Sequence, residues 1–235
     1  MDQTLIIVPS YNEYQNAHSL VSQVLQIVPD SHVLLVDDNS PDGTADYAEN
    51  LFRHEPRFSV LRRSGKRGLG RSYLDGYRRA AAGNYARVVQ MDADFSHDPR
   101  ALPDLIRASQ DVDVVIGSRY CAGGEVRNWS RRRRLLSKFA NRYVRSITGM
   151  QVHDSTSGFR CYNQRALRSL LAGEIVAEGY AFLVETTYRV QKKGLSIVEV
   201  PITFTERRRG KSKISRKVIL ESMLIPWRLR YTREK

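Results

Sequence analysis

Short apolar runs, each about one strand long and each followed at once by polar residues, alternate with amphipathic helical stretches through the first half of this chain. The runs fall at residues 4–8, 32–36, 58–61, 87–91 and 112–116. Between the first two, Ala17, Leu20, Val21, Val24, Leu25 and Val28 recur at three- and four-residue steps, the spacing of one buried helical face. A second helix is expected from Thr44, after Pro41-Asp42-Gly43, to a point before Pro56. A third is expected over residues 71–82, after a turn at Gly65, Gly68 and Gly70. Strands that alternate with helices build βαβ units, so the expected class is α/β with a mostly parallel central sheet.

The pattern changes after Gly117. An arginine-rich stretch leads into a helix with Leu136, Phe139, Ala140, Tyr143, Val144 and Ile147 on one face, and a β-prone segment follows at 196–204. The tail over 215–230 mixes apolar residues with arginines and lysines and reads as an amphipathic interfacial helix that Pro226 should bend or end. The 235 residues suffice for one main domain. The expected division is a catalytic unit over 1–210 and a basic amphipathic tail over 211–235.

The net charge of +13 is concentrated in two places. Nine Lys or Arg oppose one acid between Arg119 and Arg145, and eleven oppose three between Thr205 and Lys235, leaving the rest of the chain slightly acidic. Such segments suit a polyanionic partner: nucleic acid, an anionic bilayer or phosphorylated ligands. Cys121 and Cys161 form neither a close pair nor a ligand cluster, which fits a reducing, cytoplasmic setting. Pro9 cuts the first apolar run too short for a signal peptide, and no stretch reaches the length of a spanning helix.

Ligands of parallel α/β sheets bind beyond the carboxyl ends of the strands. Polar residues stand at four such ends here: Pro9-Ser10-Tyr11-Asn12-Glu13, Asp37-Asp38, Asp92-Ala93-Asp94 and Gly117-Ser118-Arg119. Any one of them reads equally well as turn and cap chemistry; four on one edge argue for a site. Asp92 and Asp94 leave the same strand together and suit a hard divalent cation, Mg2+ or Mn2+, shared with substrate phosphates. His18, His32, His54, His97 and His153 lack metal-ligand spacing, and the glycines at 65–70 do not form a Walker loop.

These strand-end motifs, with Asn39-Ser40-Pro41-Asp42-Gly43-Thr44, Phe95-Ser96-His97, Gly123-Gly124, Trp129, Arg133, Thr156 through Arg160, and Phe204 through Lys213, resemble in order and spacing the family 2 glycosyltransferases of GT-A, Rossmann-like fold. Within that family the likeness is to the dolichyl- or polyprenyl-phosphate mannose synthases. The resemblance implies an inverting transfer of mannose from GDP-mannose to a polyprenyl or dolichyl phosphate. It implies that Pro9, Tyr11, Glu13, Val36 and Asp38 hold the guanosine, and that Asp92, Ala93 and Asp94 face the diphosphate and metal. Arg119, Arg207 and Lys213 would bind phosphate, with Arg119, Arg133 and Ser137 on the acceptor and Asp94, Arg119 and Arg133 carrying the catalytic burden. Ser96 stands where some relatives place a further metal ligand.

A lipid monophosphate, with a second pKa near about 6, is largely anionic at neutral pH. Orientation and charge neutralisation should therefore outweigh a base, for which Asp154, Glu178 and Glu185 are the candidates. UDP-glucose is the rival donor, and a nucleic-acid-binding module the rival class; strand-end carboxylates argue against the latter. Many relatives carry transmembrane helices, so the expectation is a peripheral protein on the cytoplasmic face of an anionic membrane, or one that borrows a separate membrane-anchoring subunit.

Overall fold

The structure, a computed structural model, describes residues 3–65, 68–206 and 216–231. In chain order it runs β1 (Thr4–Ser10), α1 (Tyr14–Ile27), β2 (Ser31–Asp37), α2 (Thr44–Leu51), β3 (Phe58–Arg62), α3 (Leu69–Ala82), β4 (Arg87–Gln90), a 3-10 turn (Pro99–Ala101), α4 (Leu102–Ala108), β5 (Val114–Ser118), β6 (Glu125–Arg127), α5 (Arg131–Thr148), β7 (Arg160–Asn163), α6 (Gln164–Leu171), α7 (Gly179–Lys192), β8 (Ile197–Pro201), β9 (Thr203–Thr205) and α8 (Arg216–Tyr231). The five apolar runs are all strands, and the three early helices form close to where periodicity and turn residues place them.

The main sheet has the order β3-β2-β1-β4-β7-β5-β8. Its strands are apolar throughout because both faces are covered, and successive side chains point to opposite sides. On one side Leu5, Ile7, Leu34, Val36, Val88 and Val114 pack against Tyr73 and Tyr77 of α3, Leu167 of α6 and Phe182 of α7. On the other, Ile6, Val8, Val33, Leu35 and Val89 meet Leu20 and Val24 of α1 and Leu102 and Leu105 of α4. Helix α3 lies close on β1 because Gly76 has no side chain: a Cβ there would come within 2.8 Å of Ile7.

The structure refines four expectations. The main sheet is mostly parallel, as expected, with β7 running antiparallel to both its neighbours, β4 and β5. Its four residues follow a loop and run directly into α6 at Gln164, and their pairing is decided across the fold. The β-prone segment at 196–204 divides at Ile202 into β8, beside β5, and β9, which pairs with β6 in a separate two-stranded sheet. On α5 only the C-terminal part of the apolar face is buried, at Val144 and Ile147, while Leu136 and Phe139 are 66% and 65% exposed. The inward face of its first half is polar, with Ser137 and Asn141 bonded to Tyr120 and Thr156.

Helix α8, finally, continues through Pro226 to Tyr231. Proline removes one intrahelical bond and crowds the preceding turn, but Ile225 and Leu229 pack on the core. Tyr143 adds two anchors: its hydroxyl donates to Met223 O and accepts from Trp227 Nε1, both at 2.9 Å. The expected boundary at 210/211 lies outside the described residues. Among the described residues no helix is long and apolar enough to cross a membrane.

Candidate active site

Buried polar residues gather at the carboxyl ends of β1, β2 and β4. Asp37, at the end of β2, accepts from Ser10 Oγ at 2.8 Å and from the backbone and hydroxyl of Ser40 at 2.8 and 2.6 Å. Asp42 accepts from Tyr14 N and Thr44 N, at 3.1 and 3.0 Å, which joins the loops after β1 and β2. Asn12, Asn39 and Phe95 have φ of 59°, 56° and 60°, so a left-handed residue follows each of these three strands. Asparagine tolerates that conformation; a bulky residue such as Phe95, between Asp94 and Ser96, stores strain there.

Around this edge stand Pro9, Tyr11 and Glu13, with Val36 fully buried beneath. Glu13 Oε2 accepts from Asn16 Nδ2 at 2.9 Å. Asp38 is 4% exposed, and its Oδ1 takes a short ion pair from Arg63 Nη1 and a hydrogen bond from Ser72 Oγ at 2.9 Å. Arg63 also pairs with Asp75 at 2.8 Å. This arginine was absent from the expected site, although it follows the run at 58–61 just as the other strand-end residues follow theirs.

Asp92 and Asp94 sit beyond β4 with Ala93 buried between them. Tyr73 OH donates to Asp92 Oδ1 at 2.9 Å, and Ser96 N donates to Asp94 Oδ1 at 3.0 Å. Gly158 lies against the first carboxylate, where a Cβ would meet Asp92 Oδ2 at 3.3 Å. Below, Gln90 Nε2 donates to Gly158 O at 2.9 Å, so the loop before β7 is tied to β4. Two carboxylates in this setting are hard oxygen donors of the kind that Mg2+ and Mn2+ take together with phosphate oxygens. Among the described residues no group of three or more His, Cys, Asp or Glu is arranged to hold a metal.

His97 connects this carboxylate edge to a cationic one. It is 1% exposed, stacks on Phe159 at 5.1 Å and meets Phe204 edge-on at 5.4 Å. Burial lowers its pKa, against the opposing pull of Asp92 and Asp94, and it also feels Arg119 and Asp154. Phe204 in turn lies 5.2 Å from the Arg119 guanidinium and 5.4 Å from the Trp129 ring.

Arg119 grips Asp154 through Nε and Nη2 and adds a bond from Nη2 to Thr156 Oγ1, all at 2.7 Å. Arg133 stacks over Trp129 at 4.1 Å and pairs with Glu206 at 2.5 Å. Of the run 131–134 it is therefore Arg133 that joins this cluster, while Arg134 turns to Val126 O at 2.7 Å. Ser137, one turn further on, accepts from Tyr120 OH at 2.7 Å. Arg207 and Lys213 lie outside the described residues.

The sequence pattern described as glycosyl transferase family 2 matches residues 5–171. The chain belongs to that family. It is 44% identical over 223 residues to the polyprenol monophosphomannose synthase of Mycolicibacterium smegmatis, covering 94% of this chain and 84% of that protein. It is 40% identical to the undecaprenyl-phosphate mannosyltransferase of Micrococcus luteus, covering 94% and 91%. Among solved structures, glucosyl-3-phosphoglycerate synthase from Mycobacterium tuberculosis, in complex with Mn2+, UDP and phosphoglyceric acid, matches with a TM-score of 0.69 at 20% identity. That match covers 95% of this chain and 78% of the other, and it shows a shared GT-A-like fold.

In this glycosyltransferase the three carboxylates considered as bases are all engaged. Burial raises the Asp154 carboxyl, but the charge and hydrogen bonds of Arg119 outweigh it and hold the group below its usual range. Glu185 pairs with Arg189 at 2.8 Å and accepts from Ala177 N at 2.9 Å. Glu178 pairs with Arg71 at 3.2 Å on the surface.

Proposed function

We propose that this enzyme transfers mannose from GDP-mannose to a polyprenyl or dolichyl phosphate, with inversion, at an anionic membrane surface. The observation that carries the reading is the meeting, across His97 and Phe204, of the Asp92–Asp94 edge with the Arg119–Trp129–Arg133 cluster. A sugar donor with a diphosphate and an acceptor with a phosphate need two such neighbouring regions. The names of the two mannosyltransferase relatives support the choice of sugar and acceptor.

In this reading Pro9, Tyr11, Glu13, Val36 and Asp38 hold the guanosine, with Arg63 orienting Asp38. Asp92 and Asp94 hold Mg2+ or Mn2+, which when bound neutralises charge gathering on the departing diphosphate. Arg133, Ser137 and the rim of Arg119 orient the acceptor phosphate, with Arg207 and Lys213 assigned to phosphate by resemblance. The acceptor oxygen is already anionic and attacks the anomeric carbon as the bond to GDP breaks, so orientation is the chief contribution of the protein.

The exposed faces of α5 and α8 support the membrane contact. Leu135, Leu136 and Phe139 on α5 and Leu224 and Tyr231 on α8 are each at least 65% exposed, with Arg132, Lys138 and Arg228 exposed beside them. Apolar side chains ringed by cations suit an anionic interface.

The test is transfer of radiolabelled sugar from GDP-mannose, with UDP-glucose in parallel, to a short-chain polyprenyl phosphate, with metal and with chelator. Metal-dependent product from GDP-mannose, reduced at least about a hundredfold in Asp94→Ala, is the expected result. Product from UDP-glucose alone overturns the donor.

A further inference from the structure

The Arg133 guanidinium is held on two sides. Its face lies 4.1 Å over the Trp129 ring, and its Nη1 meets Glu206 Oε1 at 2.5 Å. The two contacts differ in kind. Trp129 is partly buried, packs against Phe204, and is anchored in the aromatic chain that leads to His97. The ion pair is open to water, with the Arg133 and Glu206 side chains 33% and 44% exposed. An exposed carboxylate–guanidinium pair contributes little to stability and exchanges readily, whereas stacking on an indole leaves the N–H edge of the guanidinium available.

Glu206 also has a fixed root. It directly follows β9, and its backbone N–H donates to Arg127 O at 3.3 Å, beside the pairing of Arg127 with Thr205 in the β6–β9 ladder. Its carboxylate therefore reaches Arg133 from a set position. A carboxylate and a phosphate offer oxygens of similar geometry to a guanidinium edge.

We propose that Glu206 is a built-in stand-in for the acceptor phosphate, and that Trp129 is the positioning residue that keeps Arg133 in place while one anion replaces the other. This rests on the reading of Arg133 as an acceptor-phosphate ligand. Without substrate, Glu206 satisfies Arg133 and keeps adventitious anions off it. When the lipid phosphate arrives, its oxygens take the Nη1 edge and Glu206 turns to solvent. The exchange makes acceptor binding weaker than the arginine alone would allow, and selective for a group able to outcompete a carboxylate.

The experiment is equilibrium binding of farnesyl monophosphate, followed by titration calorimetry, to the full chain and to its Glu206→Gln, Arg133→Ala, Arg133→Ala/Glu206→Gln, Trp129→Phe and Trp129→Ala variants. Glu206→Gln is expected to bind about two- to fivefold more tightly, and to have no such effect once Arg133 is alanine. Trp129→Ala is expected to weaken binding and Trp129→Phe, which keeps a ring, to restore most of it. Glu206→Gln binding equally or less tightly, while Arg133→Ala weakens binding, overturns the stand-in role alone. Trp129→Ala binding as the parent does overturns the positioning role. Arg133→Ala binding as tightly as the parent, or no binding by the parent, overturns the acceptor reading itself.

Discussion

Arg119 and Asp154 form a bidentate ion pair in which the side chains are 5% and 0% exposed, linking the end of β5 to the loop before β7. Glu199 on β8 supports the same loop by accepting from Asp154 N at 2.9 Å. The pair fixes the back wall of the cationic region and leaves Arg133 as the more exposed cation in front of it.

Breaking that pair should be costly. Asp154→Asn leaves a buried guanidinium without its counter-charge, for an expected loss of about 3–5 kcal/mol at neutral pH. The Asp154 carboxyl titrates below its ordinary value of 3.8 in the folded state, so the unfolded chain binds the proton more readily. Its contribution is thus fully present above that value and is lost as pH falls through the lower folded pKa. Denaturant unfolding of parent and variant should show a gap at pH 7 that narrows below about pH 4.

Tyr73 orients Asp92 without being placed to touch substrate. Tyr73→Phe should raise the Mn2+ concentration for half-maximal activity about tenfold, in line with other groups that orient metal ligands. Gly158→Ala should act similarly by pushing on the same carboxylate. Equal metal dependence in parent and both variants would remove Asp92 from the metal site.

The exposed apolar residues of α5 should serve the membrane and not the fold. Leu135→Ser/Phe139→Ser is expected to reduce sedimentation with vesicles containing phosphatidylglycerol several-fold, with little change in melting temperature, since neither side chain is buried. Unchanged vesicle binding would place the contact elsewhere.

The two thiols should differ sharply. Burial pushes Cys161 up to about 11 and raises Cys121 less far, and Cys121 is only half-buried. A thiol-reactive chromophore at pH 8 should modify Cys121 in the folded protein and Cys161 only after denaturation. Rapid reaction of both would show that the sheet opens around β7.

The strand-end positions of Asp38, Asp92, Asp94 and Arg119 were legible because each closely follows an apolar run, and the family likeness added Arg133 and Ser137 as candidates. Arg63 could have been found by the same rule. Trp129 and Glu206 were visible in the sequence, yet nothing in their spacing shows that one stacks on Arg133 and the other pairs with it.

By itself the sequence determined the five strands β1–β5, the early helices and the edge where polar residues gather, because these follow from nearest-neighbour backbone preference and from periodicities of two and of three to four residues. Tertiary structure alone decided the insertion of β7 between β4 and β5, the helical course through Pro226 and the choice of Asp154 as the partner of Arg119. Each depends on groups far apart in the chain, Arg119 and Asp154 by 35 positions. Their pairing is favoured only once the folded core has excluded water from both.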